Sequence, residues 1–198
     1  QIDPIIWVVK SDSRFKTAKD FVEQAAAKKL NVAGDGPQSN VQLQHLAATK
    51  ALGIQTNFIS YSGSGPAITS LLGGQVELAA TTLSSAIPNI EAGKLRALVV
   101  FSEDPIDALP GVPLASAYFG KTIPSVGMAI RGLAAPKDIA ADRIAILEKA
   151  FRQICESKEF LEEAKGLGII VKFQGSAEAE AIVKSSITQV EELKELLQ

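Results

Sequence analysis

The chain has 198 residues, 46% of them hydrophobic, with a mean hydropathy of +0.17, enough to bury a real core in one large or two small domains and too apolar for a disordered segment. Its 20 basic and 22 acidic residues leave a net charge of −2, which excludes a global electrostatic drive toward nucleic acid or an anionic membrane. No apolar run reaches the roughly 20 residues of a spanning helix, "QIDPIIWVVK" lacks signal-peptide order, and one cysteine with one histidine excludes an internal disulfide or a cysteine-rich metal cluster.

In chain order, "IIWVV" (5–9) predicts a strand with Trp7 in the core, and "KTAKDFVEQAAAKK" predicts a helix that starts near Thr17. "NVAG" is a short strand-like piece that runs through the glycine loop "GDGPQS" into an amphipathic helix capped by Ser39 and ending before Gly53. His45 shares one side of that helix with Val41, Ala48 and Leu52, which reads as a packed or half-exposed histidine before it reads as a ligand contact. "NFISY" (57–61) predicts a strand, Ser64 is placed to cap "GPAITSLL", and Gly73 and Gly74 stop that helix. "VELAAT" (76–81) and "ALVVF" (97–101) predict two more strands around a helix that opens at "SSAIPNIEAG" and ends at Gly93. This alternation predicts α/β layers around a largely parallel sheet.

Residues 102–125 hold four prolines and two glycines with little periodicity, and read as a connecting segment. After it come an extended "VGMAIRGLAAP", a long helix from about Asp138, a strand at "IVKF" (170–173) and a last helix from about Ser176. Cys155 follows Ile144, Leu147, Phe151 and Ile154 at helical spacing, the pattern of a small semi-buried residue and not of a nucleophile. The last two helices are strongly amphipathic, yet few strands accompany them, so their apolar faces need a surface these elements do not wholly supply.

Three strand-to-helix junctions carry the chemistry. In "GDGPQS", free N–H groups and a helix dipole favour an anion, but the loop fits neither G-x-G-x-x-G nor the G-K-[ST] ending of a phosphate loop, so a nucleotide site is not expected. Its candidate contacts are Gly34, Asp35, Gly36, Gln38 and Ser39. The second junction, "YSGSGPA", offers Tyr61, Gly63, Ser64 and Gly65; the third, "TTLSSA", offers Thr81, Thr82, Ser84 and Ser85. Each alone fits a helix cap. Together, at the carboxyl ends of strands, they favour one pocket for a small ligand.

The run from "SYSGSGPAITSLLGGQVELAATTLSSAIPNIEAGKLRAL" through "LPGVP", followed by "RGLAAP" and a helix, resembles the substrate-binding proteins of tripartite tricarboxylate transporters, the Bug family of periplasmic receptors. The resemblance extends over the whole chain. It implies an α/β protein of the type II periplasmic-binding-protein class, with two lobes that close on a small organic solute, usually a carboxylate, and deliver it to a membrane permease from the periplasm. The second lobe would span about Lys10 to Ser125, with 1–9 and 126–198 forming the hinge and the C-terminal remainder of the first lobe. Family members carry an opening segment ahead of the position of Gln1, so one lobe is expected complete and the other partial. Uncovered apolar helix faces then predict self-association or partial disorder near 138–198.

By the same resemblance, the turn matching "GDGPQS" supplies backbone and hydroxyl contacts to the solute. Gly34, Gly36 and Ser39 fit the family pattern. Asp35 stands where a small hydroxyl residue is common, and Pro37 and Gln38 where threonine and glycine are frequent; Pro37 removes one donor. Asp35 caps the helix itself or, if it faces the cleft, favours a neutral, cationic or amine-bearing solute. Gln42 matches a family position that often holds histidine. Arg131 falls at the return crossing, where it either pairs with a solute carboxylate or forms an interlobe salt bridge. No cofactor, metal or nucleic acid is expected. An enzyme would need a base beside Ser64, and His45 is the sole imidazole; a degenerate relative that serves as a non-binding interaction module is the remaining alternative.

Overall fold

The computed structural model describes residues 2–166 and 169–197. A short strand β1 (Ile2–Asp3) leads through Pro4 into β2 (Ile5–Lys10), followed by α1 (Ala18–Ala27), β3 (Leu30–Gly34), α2 (Asn40–Leu52), β4 (Thr56–Ser60), α3 (Ser64–Leu72), β5 (Leu78–Thr82), α4 (Leu83–Glu91) and β6 (Leu95–Phe101). After the connecting segment, which contributes only α5 (Ala115–Phe119), come β7 (Ala129–Ile130), α6 (Ala141–Glu156), α7 (Lys158–Gly166), α8 (Ser176–Leu193) and a single 3₁₀ turn (Lys194–Leu197).

Five strands form one sheet in the order β4-β3-β5-β2-β6. β3 runs parallel to β4 and β5, whereas β2 lies antiparallel between β5 and β6. The sheet is therefore mixed, and the expectation of a largely parallel one is corrected at β2, which enters from the β1 crossing at the end where β5 and β6 finish. Ile5, Ile6, Trp7, Val8 and Val9 are all fully buried, because β2 has a strand on each side and helices over both faces. The five-stranded sheet therefore takes in the chain from Ile5.

The two-residue period of β2 sorts its side chains between two cores. Ile5, Trp7 and Val9 face α1, α2 and α5, where Trp7 meets Phe21 and Phe101 edge-on at 5.5 and 5.2 Å. Ile6 and Val8 face α3 and α4 with Ala67, Ile68, Leu71, Leu83 and Ile87. Each such large apolar side chain contributes about 1.5–3 kcal/mol on burial. α1 starts where the sequence predicts: Thr17 Oγ1 accepts from the Asp20 N–H, and the Asp20 carboxylate accepts from the N–H groups of Lys16 and Thr17. Those bonds hold the Asp20 carboxyl below its ordinary range, backbone donation from Thr17 foremost.

β1 pairs antiparallel with β7, Ile2 opposite Ile130 and Asp3 opposite Ala129, so the chain enters and leaves the sheet side by side. The expected strand at 170–173 reduces to one bridge, Ile2 to Ile170. The faces of α6, α7 and α8 stay open as the pattern foretold: Ile146, Leu147, Ile154, Phe160, Val183 and Ile187 are exposed, and α8 buries none of its residues. Cys155 is buried.

Candidate functional site

The corners after β3, β4 and β5 lie at one edge of the sheet on three adjacent parallel strands, with Gly34 level with Ser60 and Ala33 level with Ala79. The helix that follows β3 packs on one face, and those that follow β4 and β5 pack on the other. A strand whose outgoing helix departs oppositely from both neighbours leaves a crevice at its carboxyl end, where ligands of open α/β sheets bind.

At the β3 corner a Cβ on Gly34 would collide with the Phe58 ring and sit 3.2 Å from Val41, so this position admits no side chain without displacing the floor of the corner. Ser39 caps α2 as expected, its hydroxyl accepting from the Gln42 N–H at 3.1 Å. Gln38 adopts φ +60, the left-handed region that favours glycine, and its N–H donates to Gln42 Oε1 at 2.6 Å. The Ser39 N–H donates to the Gly36 carbonyl at 3.2 Å, so two donors of the loop are engaged internally, and Pro37 has none.

At the β4 corner the Tyr61 N–H donates to the Gly34 carbonyl at 2.9 Å, tying the first two corners together. The Tyr61 hydroxyl pairs with Ser70 Oγ at 2.6 Å and its ring packs against the core beneath α3, which accounts for both ends of that side chain. Gly63, at φ +154, holds the position before α3, so Ser64 is the first helical residue and not the cap. Its hydroxyl instead donates to Asp35 Oδ1 at 2.8 Å.

The β5 corner is largely closed. Thr81 is fully buried, and among the described residues its hydroxyl reaches only the adjacent Thr82 carbonyl. Thr82 Oγ1 pairs with Ser85 Oγ at 2.8 Å. The first N–H groups of α4 are taken by the crossing segment: Leu83 donates to the Pro4 carbonyl, and the Ser84 N–H and hydroxyl donate to the Asp3 carboxylate at 2.9 and 2.6 Å. Arg131 approaches the same carboxylate at 3.3 Å. Asp3 is only 1% exposed, and its carboxylate sits at the α4 N-terminus, where a negative charge is favoured.

Gln44 went unnoticed in the sequence. Fully buried, it accepts from the N–H groups of Val126 and Gly127 at 2.8 and 3.0 Å and donates to the Pro124 carbonyl at 2.8 Å, while Asn40 Nδ2 donates to the Gly127 carbonyl. These bonds fasten α2 to the returning chain. The available signal was its place on the stripe of Val41, His45 and Ala48, where a buried amide must find partners. His45 is fully buried between Trp7 and Phe58, its Nε2 2.7 Å from Thr56 Oγ1, and desolvation lowers its pKa to about 3. It is remote from service as a base for Ser64, whose acidic neighbour is Asp35. A separate hollow of about 470 Å³, lined by Arg14, Phe15, Asp20 and Gln24, lies at the opposite edge of the sheet and shares no residue with the corners.

The family described as tripartite tricarboxylate transporter family receptor matches residues 1–195. Among curated proteins, a UPF0065 protein of Agrobacterium vitis is 28% identical over 98% of this chain and 56% of its own length. Protein BugT of Bordetella pertussis is 27% identical over 80% of this chain and 49% of its own. The chain spans about half the length of the curated relatives it matches. A TctC solute binding protein from Polaromonas, solved without ligand, superposes with a TM-score of 0.81 at 26% identity, over 99% of this chain and 66% of that one. MatC of Rhodopseudomonas palustris, solved with bound malate, shares the fold at a TM-score of 0.70 and 20% identity, over the whole of this chain and 67% of that one. No described helix is long and apolar enough to cross a membrane.

Proposed function

The chain belongs to the tripartite tricarboxylate transporter receptor family, and from that premise we propose that it captures a small organic solute bearing a carboxylate, outside the cytoplasm, and hands it to the membrane permease of such a transporter. The supporting observation is the arrangement of the corners after β3 and β4 at a crevice between oppositely departing helices, joined by the bond from Tyr61 to Gly34. The candidate contacts are the backbone of Gly34, Gly36, Gly63 and Gly65, with Ser39, Ser64 and Asp35 at the mouth. Solute capture needs no reactive group. A hydrolase is disfavoured because Ser64 has no imidazole beside it and His45 is enclosed in the core with Thr56. The division into a sheet lobe, from Ile5 to about Ser125, and a second body built on α6, α7 and α8 is part of the same reading.

A non-binding interaction module is the second reading, and one feature favours it: the chain's own carboxylates, Asp35 and Asp3, stand at the N-termini of α3 and α4. Thermal denaturation with and without malate, adipate and matched small carboxylates separates the two. A receptor gains about 2.7 kcal/mol at a solute concentration 100 times Kd. A melting temperature that stays constant through the panel, with corner amides undisturbed, refutes capture and leaves the module.

A further inference from the structure

Resting on the solute-receptor reading, we infer that Asp35 sets the charge preference of this site, so that the end of the solute held at the β3 and β4 corners is a primary ammonium and not a second carboxylate.

The Asp35 side chain is half-buried where β3 ends. One of its oxygens accepts from Ser64 Oγ at 2.8 Å; among the described residues the other has no partner, and no lysine, arginine or histidine forms an ion pair with it. The sources of positive potential at the β4 and β5 corners are already engaged. The N-terminus of α4 and the guanidinium of Arg131 both face the buried carboxylate of Asp3. The N-terminus of α3, where Pro66 lacks an N–H, faces Asp35 itself. A carboxylate arriving at this corner meets a fixed like charge that no described cation pairs with, in surroundings less screening than water. An ammonium meets an unfilled acceptor, and a Cβ at Gly65 would meet nothing within 4 Å. Gln38 strengthens the bias, since its N–H, which would otherwise serve an anion, is bonded to Gln42.

The test uses two pairs of probes that differ only in replacing one carboxylate by an ammonium: succinate against β-alanine, and glutarate against γ-aminobutyrate. Titrating each into the nitrogen-labelled chain and following the amides of 34–39 and 61–65 reads weak binding directly. The expected result is that the amino acids bind at least about tenfold more tightly than their dicarboxylate partners, and that Asp35→Asn, which keeps an acceptor for Ser64, cuts that ratio to about threefold or less. Dicarboxylates that bind as well as the amino acids in the unaltered chain overturn the inference and leave capture standing; this comparison needs no variant to fold. A preference for the amino acids that persists undiminished in Asp35→Asn also overturns it. Failure of all four probes to shift those amides, before and after substitution, overturns solute capture and this inference together.

Discussion

His45 sits where a charged imidazole has no solvent and a single hydroxyl partner, so the fold holds it neutral. With a folded pKa of about 3 against its ordinary 6.5, the unfolded chain binds a proton that the folded one refuses. The contribution is fully present above about pH 6.5 and is lost as the pH falls toward 3. The steepest loss is about 1.4 kcal/mol per pH unit. Asp20, Glu148 and Glu180 have lowered values for the opposite reason, hydrogen bonds to the charged form, and they respond only in the carboxylate range. Urea titrations between about pH 6.5 and 5 are therefore expected to show stability falling with pH in the parent chain and nearly level in His45→Gln. An equal slope in both would place the acid sensitivity elsewhere. The bond from His45 to Thr56 also ties α2 to β4, so the substitution itself costs about 1–3 kcal/mol at neutral pH.

At the scale of elements, the start of α4 is held by a residue 81 positions away in sequence. Removing the Asp3 carboxylate leaves the Ser84 N–H and hydroxyl without this acceptor and takes away one partner of Arg131. Because the acceptor is buried while Arg131 is more than half exposed, most of the loss comes from Ser84 and not from the ion pair. Asp3→Ala is expected to cost about 2–4 kcal/mol in urea denaturation and Asp3→Asn less, since its amide oxygen still accepts one bond. A loss below about 0.5 kcal/mol would reduce the contact to a surface ion pair. This long-range bond also marks the limit of what the sequence disclosed. Thr17, Ser39, Gly53 and the glycine corners were legible because caps and turns are local: donor and acceptor lie within four residues. The direction of β2 was not, because pairing between β2 and β5 is decided by the path of the chain through β1. Gln44 and Asp3 escaped for the same reason, their partners standing some eighty residues off. Ser64 had a cap's composition, yet Gly63 supplied the backbone angle and freed its hydroxyl for Asp35.

Across the whole molecule, burial is uneven. The sheet domain encloses two cores, whereas the described parts of α6, α7 and α8 present Ile146, Leu147, Ile154, Phe160, Leu161, Val183, Ile187 and Val190 to solvent. On α8 the spacing of Val183, Ile187 and Val190 lines them along one side of the helix, and 18 residues of helix with no buried side chain gain little from tertiary packing. A contiguous apolar stripe of this kind lowers its free energy by meeting another, at about 25 cal/mol per Å² removed from water. The chain of 198 residues is accordingly expected to associate with itself. Light scattering should give an average mass that rises with concentration, and replacing Val183 and Ile187 by glutamate should return it toward the 20.9 kDa of one chain. The double substitution removes apolar area without touching the corners after β3 and β4, so amide shifts at 34–39 on adding solute should survive it. A parent chain that stays monomeric at all concentrations, with α8 amides protected from exchange, would contradict the expectation, because protection would then have to come from packing within one molecule.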